Sequence, residues 1–575
     1  MNPRYAVFAT VIAAIVTTAC SPVPDDSHAP KKSQSPPVDA SPQDAFGAER
    51  QLAANALTED RIIEHVRALS ADEFAGRGPA GEGDRLTQAY LVEQLEAIGF
   101  QPGATDGGWL QQFDLVSIDP VVPERWTFAG DAKTHDLQRW DDFVATSGVQ
   151  SPRVVVDNAE VVFVGYGIQA PEFAWDDFKG QDLNGKVLLM LNNDPEWDPE
   201  LFAGERRLYY GRWDYKYESA ARQGAAGAII VHTTPSAGYP WQVVQTSWTG
   251  EYFRLPAAGE PALHAEAWVT EAAARELVAL TGNDLDALIE AARGRDFEPL
   301  PLGITTSLSL DLAITRTQTA NVIGVLPGGD PQLADEHVVL MAHHDHLGIG
   351  EPNDAGDRIY NGARDNALGV ATVLGVAEAY AGLSQPPRRS IMTLFVGAEE
   401  QGLFGSSHYA RNPTVAPGKI AAAMNFDGGN IWGRTRDVTF IGYGKSTLDT
   451  VVESVAARQG RVVVPDQFPD RGYYYRSDQF SLAKIGVPAT YFDMPADFIG
   501  RPAKWGRQQF EAYEAVHYHQ PSDEYDDSWN LEGHLDDTRL AFWVGLQIAD
   551  ADELPRWVPG DEFEAARMEA INSLD

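Results

Sequence analysis

From Asn321 onward, short apolar runs alternate with helical stretches. Four of the runs, 338–342, 390–396, 421–426 and 487–492, read as buried strands, and 367–380 reads as a helix. That alternation predicts an α/β fold, a mixed and mostly parallel sheet flanked by helices. Polar clusters fall where these strands end. His343, the pair Glu399 and Glu400, and Asp427 each close such a run, which is where open α/β sheets place their ligand sites.

A chain of 575 residues exceeds one compact domain, so two folded units or one domain carrying an insertion is expected. The formal net charge of −39 leaves no basic surface for a nucleic-acid backbone or an anionic membrane, so nucleic acid is excluded as a partner. Cys20 is the only cysteine, which rules out an intramolecular disulfide framework and any Cys-rich zinc site. Metal binding must rest on His, Asp and Glu.

Residues 1–20 read as a signal peptide. Arg4 supplies the positive region, and the apolar run 5–16 is too short to span a bilayer. Thr17-Thr-Ala-Cys20 resembles a bacterial lipoprotein cleavage box, with Thr17 where Leu is usual. The Pro- and Ser-rich stretch 21–45 reads as a disordered tether. The mature protein is thus expected in the bacterial cell envelope, lipid-anchored at the outer membrane or periplasmic, or secreted. Membrane contact is expected only through a lipid on Cys20.

The folded body opens at 46–120 with helices at 59–69 and 84–98. A separate small α/β unit follows, within 121–300. It is marked by strands at 160–167, 186–191 and 225–232, a helix at 217–223, and a helical stretch from 265 to about 293. Strands near 305–313 begin the remainder, 301–575.

Four clusters carry the chemistry: Met341-Ala-His-His-Asp-His-Leu-Gly348, Asn361-Gly-Ala-Arg-Asp-Asn366, Gly397-Ala-Glu-Glu-Gln-Gly-Leu403 with Asn425-Phe-Asp427, and Tyr518-His-Gln-Pro-Ser-Asp523. Two zinc ions roughly 3.5–4 Å apart need a bridging carboxylate, and two His with three carboxylates suffice to hold them. Glu399 and Glu400 are adjacent, so in extended chain they point to opposite sides. One can bind metal while the other faces the attacking water. Asp345, two residues beyond His343, is placed to accept that ligand's ring N–H. His344, His346 and His517 compete with His343 and His519 within one or two residues.

In this order the clusters resemble the co-catalytic dizinc aminopeptidases of metallopeptidase family twenty-eight, from about Asn321 to Ala549. The resemblance implies the sheet fold of that family and two zinc ions per chain. It puts His343 and Asp427 on the first zinc, Asp365 as the bridge, and Glu400 with His519 on the second. It makes Glu399 the general base and Tyr518 the oxyanion support. It further implies a cis peptide between Asp365 and Asn366. Arg476, from a segment similar to Arg-Ser-Asp-His with Gln479 in the last place, falls near the substrate pocket. So does Gly428, where several members carry an apolar residue. Arg364 stands where the family usually has Asp or Asn. The part 121–261 is similar to protease-associated domains.

The implied activity is removal of N-terminal residues from peptides with a free N-terminus, with Asp345 in support of the catalytic group. A carboxypeptidase, a glutaminyl cyclase-like enzyme and a non-catalytic receptor-like relative are the alternatives. The carboxypeptidases of related type carry a long helical C-terminal domain, the cyclases work with one zinc, and the receptor-like relatives lose ligands or the base. The sequence leaves oligomeric state open.

Overall fold

The computed structural model describes residues 47–130, 133–199 and 201–574. The signal peptide, Cys20 and the tether lie outside the described residues. Three helices open the chain: α1 (Ala48–Ala56), α2 (Glu59–Leu69) and α3 (Glu82–Ala97). Thr58 caps α2 by accepting the Arg61 N–H, as a Ser/Thr cap before an acidic first turn should.

Strands β1 (Leu110–Val121), β2 (Phe143–Thr146), β3 (Arg153–Phe163) and β4 (Val187–Leu191) lead into α4 (Trp213–Arg222) and β5 (Gly227–His232). Then come α5 (Trp241–Ser247), β6 (Ala265–Thr270), α6 (Glu271–Ala279) and β7 (Leu300–Leu326). Strand β8 (His337–His343), α7 (Leu368–Ala381), β9 (Ser390–Val396), β10 (Ile420–Asn425), β11 (Ala489–Tyr491) and α8 (Glu532–Asp550) complete the frame.

These strands lie in one mixed sheet of order β11-β10-β8-β9-β7-β3-β4-β5-β6-β2. The pairs β8–β9, β8–β10 and β10–β11 are parallel, as are β3–β4, β4–β5 and β5–β6. Strand β7 joins the two halves, running antiparallel to β9 and then β3 along one edge and to β1 along the other. Each half has its own apolar core.

In β8 the two-residue period is explicit. Val338, Leu340 and Ala342 pack with α7 and α8 on one face, while Val339 and Met341 pack into the cluster on the other. Sheet faces covered on both sides explain why these strands are apolar throughout. Among the described residues no helix is long and apolar enough to cross a membrane.

One assignment changes. Residues 265–270, read from sequence as the start of a helix, form β6, paired parallel with β5 and antiparallel with β2. The helix begins only at Glu271, where the Thr270 side chain accepts the Ala273 N–H.

Candidate metal centre and its surroundings

Because β8, β9 and β10 are parallel neighbours, their carboxyl ends meet at one edge of the sheet. His343 is the last residue of β8. Glu399 and Glu400 follow β9 through Ala398, whose φ of 57° turns the chain. Asp427 lies two residues past β10. Asp365 comes from the loop before α7, and the Asp365–Asn366 peptide is cis. His519, with φ 56°, reaches in from a distant loop.

His343 Nε2 lies 3.3 Å from Asp365 Oδ1 and 3.3 Å from Asp427 Oδ1. The other oxygen of the same carboxylate, Asp365 Oδ2, lies 3.3 Å from His519 Nε2, which is also 3.0 Å from Glu400 Oε2. Asp365 therefore stands between two half-sites. Two ligands at about 2.0–2.1 Å from a tetrahedral ion are roughly 3.3 Å apart, so both half-sites have the spacing of a cation's shell. His519 Nε2 is buried and makes no hydrogen bond there.

The electrostatics agree. Although burial opposes charge on an imidazole, Glu399 and Asp427 push His343 well above the usual histidine range, and Glu400 and Asp365 push His519 up to about 10. Burial would raise the Asp365 carboxyl, yet the imidazoles of His343 and His519 beside it hold it well below the usual range. A pocket that draws positive charge onto its own imidazoles is one built for cations. Glu399 behaves oppositely. Burial pushes its carboxyl well above the ordinary range, and the Glu400, Asp478 and Asp427 carboxylates add to the shift.

The ligand loops are held by groups that sequence reasoning passed over. Asp523 accepts the backbone N–H of Arg364 at 3.1 Å and of Asp365 at 3.0 Å. Arg77, fully buried, donates to the carbonyls of His344, Asn361 and Gly362 at 3.0, 2.6 and 2.8 Å. His346 Nδ1 lies 2.6 Å from Glu400 Oε1, the oxygen turned away from His519. With Asp365 and Glu400 it forms a second grouping of metal-ligand atoms. His344 instead faces Asp84 at 3.1 Å, and His517 faces Ser522.

Asp345 is corrected. Its carboxylate stands 3.9 Å from His343 Nδ1, and the ring N–H donates instead to the Asp345 carbonyl at 3.2 Å. The carboxylate accepts the backbone N–H groups of Glu399 at 3.0 Å and Glu400 at 3.3 Å. Two successive amides converging on one carboxylate hold the Glu399–Glu400 turn, an arrangement that residue spacing does not announce.

Residues 321–543 match the model of peptidase family M28. Over those residues the chain is similar to that family. Over 270 residues, 46% of its length, the chain is 28% identical to leupeptin-inactivating enzyme 1 of Streptomyces exfoliatus, of which the match covers 55%. It is 24% identical over 494 residues, 83% of its length, to probable leucine aminopeptidase 2 of Aspergillus fumigatus, of which 80% is covered. The chain thus spans about half the length of the first of these relatives. Its backbone resembles that of an aminopeptidase from Aneurinibacillus sp. strain AM-1 with a TM-score of 0.51 at 18% identity, over 88% of this chain and 97% of that one. At that identity the likeness is one of fold.

Beside the candidate metal centre, a cavity of about 70 Å³ is lined by Arg364, Gly428, Tyr473, Tyr491, Asp493 and Phe510, among others. Arg364 donates to both oxygens of Asp493 at 2.9 Å, and its guanidinium lies over the rings of Tyr513, Phe510 and Trp432 at 4.7, 5.2 and 5.6 Å. A Cβ at Gly428, where φ is +80°, would come within 3.1 Å of both partners of this pair. An ion pair therefore fills the room that an apolar pocket residue would take, which accounts for both Arg364 and Gly428.

A larger cleft, about 420 Å³, opens from Glu399, Glu400, Tyr518 and His519 toward α4 and α5. Its far wall reaches the centre directly, with Ser247, the last residue of α5, placing Oγ 2.8 Å from His519 Nδ1. Thr246 donates to the His519 carbonyl at 3.1 Å. The Tyr518 ring lies against His519 with centroids 3.9 Å apart, and its hydroxyl is 3.5 Å from Arg476 Nη2.

Proposed function

We propose that this chain is a two-zinc aminopeptidase that releases N-terminal residues from peptides with a free N-terminus. The observation that carries the reading is the division of Asp365, one oxygen to His343 and Asp427, the other to His519 and Glu400. His343, Asp427 and Asp365 would hold one ion, and Asp365, Glu400 and His519 the other. Zinc, when bound, supplies Lewis acidity toward the scissile carbonyl and lowers the pKa of water.

Glu399 is the group free to move a proton. Although its carboxyl also groups with His343 and Glu400, this assignment gives it no ligand position, and burial among neighbouring acids gives it an unusual affinity for a proton. In this reading it accepts the proton of the attacking water and returns it to the leaving amine. Tyr518, fixed between His519 and Arg476, offers its hydroxyl to the developing oxyanion. Asp345 keeps Glu399 and Glu400 in register through their amides.

We also propose that the inserted residues form a protease-associated-like unit, that 1–20 direct export, and that Cys20 carries a lipid anchor in the cell envelope. The test is metal analysis of purified protein together with hydrolysis of aminoacyl chromogenic substrates, N-blocked versions serving as controls. Two zinc ions per chain and activity abolished by blocking are expected. Activity that survives blocking would redirect the assignment to another peptidase type.

A further inference from the structure

In a chain of net charge −39, the cleft beside the centre is lined by six arginines, the exposed Arg411 and the more enclosed Arg207, Arg212, Arg254, Arg471 and Arg476. Most are satisfied. Arg212 pairs with Asp214 at 2.7 Å, Arg254 pairs with Glu266 although its Nε is left without a partner, and Arg471 pairs with Glu514. Arg207 donates to Asn193 at 2.7 Å and to the Ser236 carbonyl.

Arg476 differs. Among the described residues no carboxylate forms an ion pair with it, and its Nη1 is buried without a hydrogen-bond partner. Glu514 is taken by Arg471 and Tyr473. The guanidinium lies over the rings of Tyr473, at 4.8 Å, and Tyr239, at 5.2 Å. A buried donor left unpaired costs free energy, and ring contacts help to hold the planar fork that suits a carboxylate.

Arg476 lines both cavities and sits one hydroxyl away from the centre, through Tyr518 at 3.5 Å. A substrate whose N-terminal residue occupies the smaller cavity would send its leaving portion into the cleft past Arg476. We propose that Arg476 forms a carboxylate subsite on the leaving-group side of the scissile bond, so that the preferred substrates are short peptides presenting an anionic group just beyond it. This rests on the aminopeptidase reading and adds its substrate class. Two carboxylates are chemically equivalent here, the free C-terminus of a dipeptide and an acidic side chain in the second residue.

The test compares Leu-Ala, Leu-Ala-amide, Leu-Glu-amide and leucine p-nitroanilide with the zinc-loaded parent and with Arg476→Gln. The parent is expected to favour Leu-Ala over Leu-Ala-amide by about 10–100-fold in kcat/KM, the scale of one charge-assisted hydrogen-bond pair. In Arg476→Gln the ratio falls toward one. A matching gain for Leu-Glu-amide assigns the side chain as a second source. No gain confines the subsite to the C-terminus, and either result supports it.

A parent ratio near or below one, or a ratio kept in Arg476→Gln, overturns the inference, and the parent comparison stands even if the variant misfolds. Failure to cleave any of the four compounds would count against the aminopeptidase reading instead. Calorimetric binding of Leu-Ala against its amide then decides the subsite without turnover, equal affinities overturning it.

Discussion

Ser247 Oγ lies 2.8 Å from His519 Nδ1, so the last residue of α5 fixes the ring whose other nitrogen faces Asp365 and Glu400. The imidazole of a metal ligand is commonly oriented this way by a partner on its second nitrogen, and losing that partner costs roughly 10–100-fold in metal affinity. Ser247→Ala is expected to weaken one of two metal equivalents by that amount and leave the other near the parental value. Competition with a chromogenic chelator measures it, and two unchanged affinities would refute the coupling.

The relation between Arg364 and Asp493 gives a stability prediction. Both are buried, Arg364 Nη2 reaching both carboxylate oxygens, and removing one partner of such a pair costs roughly 3–5 kcal/mol because the other is left charged and unpaired. Asp493→Leu should lower the unfolding free energy by about that much. Arg364→Met combined with Asp493→Leu should regain most of the loss in denaturant melts. A double variant as unstable as the sum of the singles would show that the pair is not coupled.

These cases mark where the sequence was legible. His343, Glu399, Glu400 and Asp427 could be placed because they terminate apolar strands whose ends the folding pattern aligns. Ser247 and Arg77 carried no such mark, since their contacts cross 272 and 267 residues of chain. The strand at 265–270 was hidden by continuity, because its alanines and glutamate run on into a helix rich in both, and only pairing with β5 and β2 settles its state. The 27 residues of β7 were likewise seen only in part, since the strand's length is set by partners on both sides.

Asp345 offers a test that separates two roles. If its carboxylate oriented His343, substitution would first loosen metal. Because it instead accepts the Glu399 and Glu400 amides, Asp345→Asn should lower kcat about 10–100-fold while both metals remain. Atomic emission analysis of the same preparation distinguishes these. Loss of metal parallel to loss of activity would restore the other role.

Acid should destabilise the fold through buried neutral histidines. Burial, with the Arg364 charge added, holds His534 down at about 3, and burial holds His65 and His232 at about 4. Between 6.5 and those values the unfolded chain binds protons that the folded chain refuses, so stability falls as pH falls through that window. His534→Gln should show a smaller drop in Tm between pH 6.5 and 4 than the parent. An equal drop would remove His534 from the account.

Glu399 is predicted to be needed for proton transfer and not for metal. Glu399→Ala should retain two zinc ions and lose at least about 10²–10⁴-fold in kcat. A variant that keeps substantial activity would displace Glu399 as the base.

The central claim is that one carboxylate, Asp365, joins two metal half-sites. Crystals of zinc-loaded protein measured on either side of the zinc absorption edge address it directly. The account predicts two anomalous peaks roughly 3.5–4 Å apart, one contacted by His343 and Asp427, the other by Glu400 and His519, with an Asp365 oxygen on each. A single peak, or a second peak away from Asp365, would contradict it.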